Sequence, residues 1–216
     1  MPLLTFPALA ALCGLLFWVL YAGVETNTLR AAVIKTLSTA CLALFGALIG
    51  APGWVVLGLG LGAAGDYALA RPGDRAFLAG MVAFALGHLA YVVEFVDRIH
   101  GLPTSVPALF WLVVAAMVIL VALTAVWIAP KAGTLKWPVR GYAVVIACMA
   151  LSATLLPHSA GRVTMQIGVA SFVASDLILA FRMFVLKDAN VRLWAGRALW
   201  PLYWGGQALI LVGSFA

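Results

Sequence analysis

Two aspartates stand inside apolar runs. Asp176 follows Ser175 in Gly168-Val-Ala-Ser-Phe-Val-Ala-Ser-Asp-Leu-Ile-Leu-Ala-Phe-Arg182, and Asp66 follows Gly65 in Ala63-Ala-Gly-Asp-Tyr-Ala-Leu-Ala-Arg71. Both read small residue, Asp, apolar turn, Arg. A charged side chain at the centre of a bilayer costs about 2.5–3.5 kcal/mol on insertion scales, so acids in such runs mark a site or an ion pathway. Lys35, His88, Tyr203 and Gln207 also fall within apolar stretches. Carboxyls, an ammonium, an imidazole and a phenol are proton-transfer groups, suited to acid–base catalysis or to a proton relay.

The elements that must position them are membrane helices. Of the 216 residues 65% are hydrophobic and only 9% charged, against about a quarter charged in soluble domains, which excludes a water-soluble core. The expected fold is all-α: a single transmembrane bundle over residues 1–216 with about eight helices, at 3–23, 31–50, 54–70, 76–96, 106–128, 139–156, 162–182 and 198–215. Between them lie polar breaks, Glu25 to Arg30, Pro52-Gly53, Arg71 to Arg75, Asp97 to Pro103, Pro130 to Arg140, Pro157-His158 and the basic stretch up to Arg197. The N-terminus has no positive n-region, so the first apolar run is read as helix one rather than a signal peptide.

The net charge of +6 is spread between apolar runs rather than gathered in a patch, which argues against nucleic acid. Eleven of the 13 Lys and Arg flank the odd-numbered loops; only Arg98 and Arg162 flank the even ones. The positive-inside rule then puts the odd loops in the cytoplasm and both termini outside, the arrangement of a bacterial inner-membrane protein. At about 1.5 Å per residue from the nearest cytoplasmic arginine, Lys35, Asp66, Asp176 and Tyr203 lie roughly 8–9 Å deep, and His88 and Gln207 roughly 15–20 Å. That defines a pocket opening to the cytoplasm. Asp66 and Asp176 lie four helices apart, and Gly87-His88 is answered by Gly206-Gln207, a pattern expected of two parallel four-helix halves.

Cys13, Cys41 and Cys148 have no metal spacing and read as packing residues. Only His88 of the three histidines lies within a helix, so neither a metal site nor a cofactor is expected. Glu94 falls toward the far interface and reads as solvated.

Gly65-Asp66, Phe84-x-x-x-His88-x-x-Tyr91, Ser175-Asp176 and Tyr203-x-x-x-Gln207, in this order and spacing, resemble the YhhN-like lysoplasmalogenase family. Lys35 falls where the family carries a lysine, and Thr36 stands where members often have proline. The resemblance implies an integral membrane hydrolase that cleaves the vinyl ether of a lysoplasmalogen to a fatty aldehyde and a glycerophospho-headgroup. Its partners would be a single-chain ether phospholipid and the surrounding membrane lipids, with the oligomeric state left open. Protonation at carbon would need one protonated carboxyl and one ionised, as in glycoside hydrolysis, and Asp66 with Asp176 are the expected catalytic pair. Lys35, His88, Tyr91, Arg182, Tyr203 and Gln207 would bind or position the substrate, Arg182 at the level of a headgroup phosphate. The competing readings are a proton-coupled transporter, a non-catalytic lipid-binding protein, and a structural ion pair of either acid with Lys35 or Arg182.

Overall fold

A computed structural model describes residues 4–24, 28–99 and 106–215, and among these the chain is helical with no strand. The segments are α1 (Thr5–Leu20), α2 (Leu29–Leu48), α3 (Gly53–Leu69), α4 (Asp74–Asp97), α5 (Ala108–Leu123), α6 (Lys136–Thr154), α7 (Arg162–Phe184) and α8 (Ala189–Gly213). The polar breaks expected at 25–30 and 97–103 fall partly outside the described residues.

Two boundaries differ from expectation. The basic stretch after Pro130 is not a loop. A π-helical turn (Thr124–Ile128) and a 3-10 stretch (Ala129–Leu135) join α5 to α6, so among the described residues these two helices form one helical stretch broken only by a kink at Gly133. Pro130 sits in the first turn of the 3-10 stretch and has no N–H to give; the Ala125 carbonyl five residues before it accepts instead from the Arg140 guanidinium at 2.8 Å. The chain reverses at Gly133, whose φ of 57° and ψ of −121° exclude a side chain, and α6 folds back onto α5. The second difference is α8, which begins at Ala189 and not near 198. The Asp188 side chain accepts the Val191 N–H at 2.9 Å and nucleates the helix nine residues early, so Arg192 and Arg197 are helical and Pro201 lies inside.

Four helical runs are long and apolar enough to cross a bilayer: 29–48, 74–97, 108–154 and 162–184. α1 and α3 are apolar but shorter. The protein is therefore a multi-pass membrane protein. Its tightest packings are α3 on α4 and α7 on α8. Both depend on glycine at the crossing: a Cβ on Gly87 would stand 3.1 Å from the Gly58 carbonyl, and one on Gly168 only 2.7 Å from that of Gly206. α5 contributes no buried residue and packs on α6, in keeping with a lipid-facing scaffold helix.

The odd-numbered connections gather at one end. Arg182, at the end of α7, donates to the carbonyl of Gly23 after α1, and the α3–α4 turn shares a cleft with Lys131 and Phe184. At the opposite end Arg98 joins Glu94 at 2.7 Å and donates to the Ser214 carbonyl. Glu94 is thus buried and paired, not solvated.

Candidate functional site

Helical periodicity aligns the polar side chains in ranks. Lys35 and Thr39 stand one turn apart on α2, Phe84, His88 and Tyr91 occupy one face of α4, and Tyr203 and Gln207 are one turn apart on α8. These ranks converge on the two aspartates from different sides.

Asp66 is completely buried. Its Oδ1 lies 3.1 Å from Lys35 Nζ, and its Oδ2 accepts from the Tyr203 hydroxyl at 2.7 Å and the Thr39 hydroxyl at 2.8 Å. The two hydroxyls donate to Oδ2 and the ammonium faces Oδ1 as an ion-pair partner, an arrangement suited to a carboxylate. The Lys35 ammonium stands about 6 Å from the rings of Phe17, Trp200 and Tyr203, within the range at which a cation is drawn to an aromatic face. Lys35 also lines a small cavity of about 130 Å³ together with Arg182 and Trp200.

Asp176 has a different set. Its Oδ2 lies 3.2 Å from His88 Nε2 and accepts from the Tyr142 hydroxyl at 3.2 Å. His88 Nδ1 is 2.6 Å from the Phe84 carbonyl oxygen, which can only accept. Nδ1 therefore carries a hydrogen, which leaves Nε2 facing the Asp176 carboxyl, without a hydrogen bond of its own among the described residues. Asp176 and Tyr142 border two narrow cavities of about 50 and 40 Å³.

The two acids share no partner. Phe84, Phe172 and Tyr203 form an edge-to-face aromatic cluster with centroids 5.3–6.5 Å apart, Tyr203 reaching Asp66 and Phe172 leaning on His88 at 4.6 Å. Among the described residues no three His, Cys, Asp or Glu side chains come together in a metal-binding group.

Beside the Asp66 set, Tyr91 donates to Gln207 Oε1 at 3.2 Å, both residues buried. The Gln207 amide nitrogen has no hydrogen-bond partner among the described residues. It packs over Gly62, where a Cβ would stand 2.9 Å from Oε1.

The structure thus brings together Lys35, Asp66 and Tyr203, then His88 and Asp176, then Tyr91 and Gln207. Arg182 is set apart: it donates to the carbonyls of Gly23 and Arg192, tying the ends of α1, α7 and α8. Ser175 turns its hydroxyl onto the Phe172 carbonyl rather than its neighbour Asp176. Sequence reasoning quoted Phe84 only as part of a motif, and passed over Thr39, Tyr142 and Phe172 as participants. The signal for Thr39 was its spacing of one turn from Lys35, and for Tyr142 its place just inside Arg140, level with Asp176.

A model of the YhhN family matches residues 29–214, nearly the whole chain. Searches of curated proteins and of solved structures gave no match.

Proposed function

The chain belongs to the YhhN family, and on that footing we propose that it hydrolyses the vinyl ether of a lysoplasmalogen or a related single-chain ether lipid. The observation that carries this reading is the 3.2 Å approach of His88 Nε2 to Asp176 Oδ2 beside narrow cavities within the bundle, a pair able to hold one proton between them. Vinyl ether hydrolysis is limited by protonation of the β-carbon. The pair delivers its proton there, the double-bond electrons form the new C–H bond, and the α-carbon becomes an oxocarbenium ion. The pair is left with one negative charge, held beside the new cation in a water-poor site where such attraction is strong. Water adds to the α-carbon and returns a proton to the pair. The hemiacetal then collapses, releasing the glycerol oxygen as an alcohol and the chain as a fatty aldehyde.

In this scheme Asp176 and His88 are catalytic, and the Tyr142 hydroxyl steadies the carboxylate. Asp66 does not need to face the substrate. It acts as a positioning residue, fixing Tyr203 and Lys35 on one side of the aromatic cluster against which His88 leans. The partnered-acid geometry of glycosidases is replaced by a single acid whose conjugate base stabilises the cation.

Two parallel halves account for the paired acids. Gly58 precedes Asp66 by the same eight residues as Gly168 precedes Asp176, and their crossing partners are Gly87 and Gly206. Each acid then takes a partner from the other half, Tyr203 for Asp66 and His88 for Asp176. We place the end with the odd-numbered loops in the cytoplasm, as its basic residues require.

The test is aldehyde release from lysoplasmenylethanolamine by purified protein in detergent. Asp176→Asn and His88→Ala should each lower the rate by at least about 10². Asp66→Asn should lose less, and through stability as well as rate. Equal rates for wild type and Asp176→Asn would exclude the mechanism.

A further inference from the structure

The Asp176 site lies at the junction of a polar cleft and a long apolar groove. The cleft, about 620 Å³, lies between the α3–α4 turn and the 3-10 stretch that follows α5, and falls within the roughly 300–1,000 Å³ usual for ligand sites. Arg71, Lys131 and Asp74 line it. Among the described residues neither cation has a carboxylate partner; Lys131 lies 4.4 Å over the Trp127 ring and Arg71 5.9 Å over Tyr67. By contrast Lys35 is held by Asp66 and Arg182 by two carbonyls, and their shared cavity of about 130 Å³ is too small for a headgroup.

Leu69, Phe77, Met183 and Phe184 belong both to this cleft and to the narrow cavity at Asp176 and Tyr142. The second narrow cavity at Asp176 shares Leu120, Val173 and Leu177 with a groove of about 680 Å³ between α5, α6 and α7. The groove is almost wholly apolar; its Gln166 amide donates to the Ala153 carbonyl. From Asp176 to Val163 at its far end the groove follows α7 for about 20 Å at 1.5 Å per residue, more than the roughly 15 Å of one leaflet's hydrocarbon.

We propose that a zwitterionic single-chain phospholipid lies along this path, its phosphate between Arg71 and Lys131, its ammonium on Asp74, and its chain in the α5–α6–α7 groove. Two cations and one carboxylate complement one phosphate and one ammonium. Polar cleft, acid and apolar groove follow the order of phosphate, ether linkage and chain in such a lipid. The passage at Asp176, with cavities of only about 50 and 40 Å³, admits one chain and not two. The proposal rests on the hydrolase reading for the bond presented to Asp176, but not for binding itself.

Binding is therefore measured separately from turnover, by calorimetric titration of a non-cleavable 1-O-alkyl lysophosphoethanolamine into the full-length protein in detergent. Arg71→Gln and Lys131→Gln should each weaken binding about tenfold, the scale of one charge-assisted contact. Asp74→Asn should weaken the ethanolamine lipid but not the matching lipid with an uncharged glycerol on its phosphate. Arg75→Gln, one turn-residue away and outside the cleft, serves as the charge control and should bind as wild type. Unchanged affinity in both Arg71→Gln and Lys131→Gln overturns the cleft, whether or not aldehyde is formed. Weakened binding in a protein that releases no aldehyde from the vinyl ether lipid upholds the cleft and removes the hydrolase.

Discussion

Replacing Lys35 by methionine isolates the worth of the deepest ion pair. Lys35 Nζ and Asp66 Oδ1 are 3.1 Å apart, the carboxylate completely buried and the lysine side chain 16% exposed. Removing one member of a buried pair destabilises by about 3–5 kcal/mol, because the other charge is left without compensation. Asp66 would keep its hydrogen bonds from Tyr203 and Thr39, which holds the loss to the lower end, about 3 kcal/mol. For a chain of this size that corresponds to a fall in Tm of about 6–12 °C. Adding Asp66→Asn to Lys35→Met removes the orphaned charge while keeping an acceptor for the two hydroxyls, so the double variant should regain about 2 kcal/mol. The assay is thermal unfolding in detergent of wild type, both single variants and the double. Additive single effects would refute the coupling, and with it the reading of Asp66 as a carboxylate held by Lys35.

Two further outcomes follow from the packing and from the Asp176 set. Gly168→Ala should destabilise by about 1–3 kcal/mol, since its Cβ would press on backbone atoms of α8 at 2.7 and 2.9 Å; Gly141→Ala, with nothing within 4 Å, should be neutral or stabilising by up to about 1 kcal/mol in the same unfolding assay. Tyr142→Phe keeps the ring edge-on to His88 at 5.6 Å but removes the donor to Asp176, so aldehyde release should fall about tenfold or more while Tm stays near that of wild type.

The sequence carried most of the bundle because each membrane helix is written as an apolar run, and it carried the site residues because a polar side chain in such a run stands out. The common depth of Lys35, Asp66 and Tyr203 followed from counting along helices, and these three do meet. What counting along one helix does not supply is azimuth between helices. Asp66 and Asp176 count to the same depth, yet the aromatic residues Phe84, Phe172 and Tyr203 stand among their partners, and aromatic residues in apolar runs look alike whether they face lipid or a site. Composition alone also misjudged the stretch after Pro130: basic and glycine-bearing, it reads as a loop, while locally its residues sustain tight helical turns up to Gly133. Arg182 was assigned to a ligand, and the structure shows it donating to the carbonyls of Gly23 and Arg192.

The bilayer sets a further condition on how acids are kept within this bundle. An uncompensated charge there is costly, so each buried acid is expected in a group that sums to zero. Asp66 has Lys35, Glu94 has Arg98, and in the proposed mechanism Asp176 shares one proton with His88, 3.2 Å away. The three groups are neutral in different ways, and the difference bears on chemistry. In the first two a fixed cation cancels the carboxylate, and no proton can leave the group without unbalancing it. In the third, neutrality is supplied by a mobile proton. Giving that proton away creates a charge, which is prohibitive unless a cation forms beside it at the same moment. Protonation of a vinyl ether meets that condition, since the oxocarbenium ion appears as the proton leaves. Transfer to a distant acceptor along a relay does not. The same neutrality that makes the His88–Asp176 pair tolerable within the membrane therefore favours an acid that acts on a bound substrate over one that conducts protons.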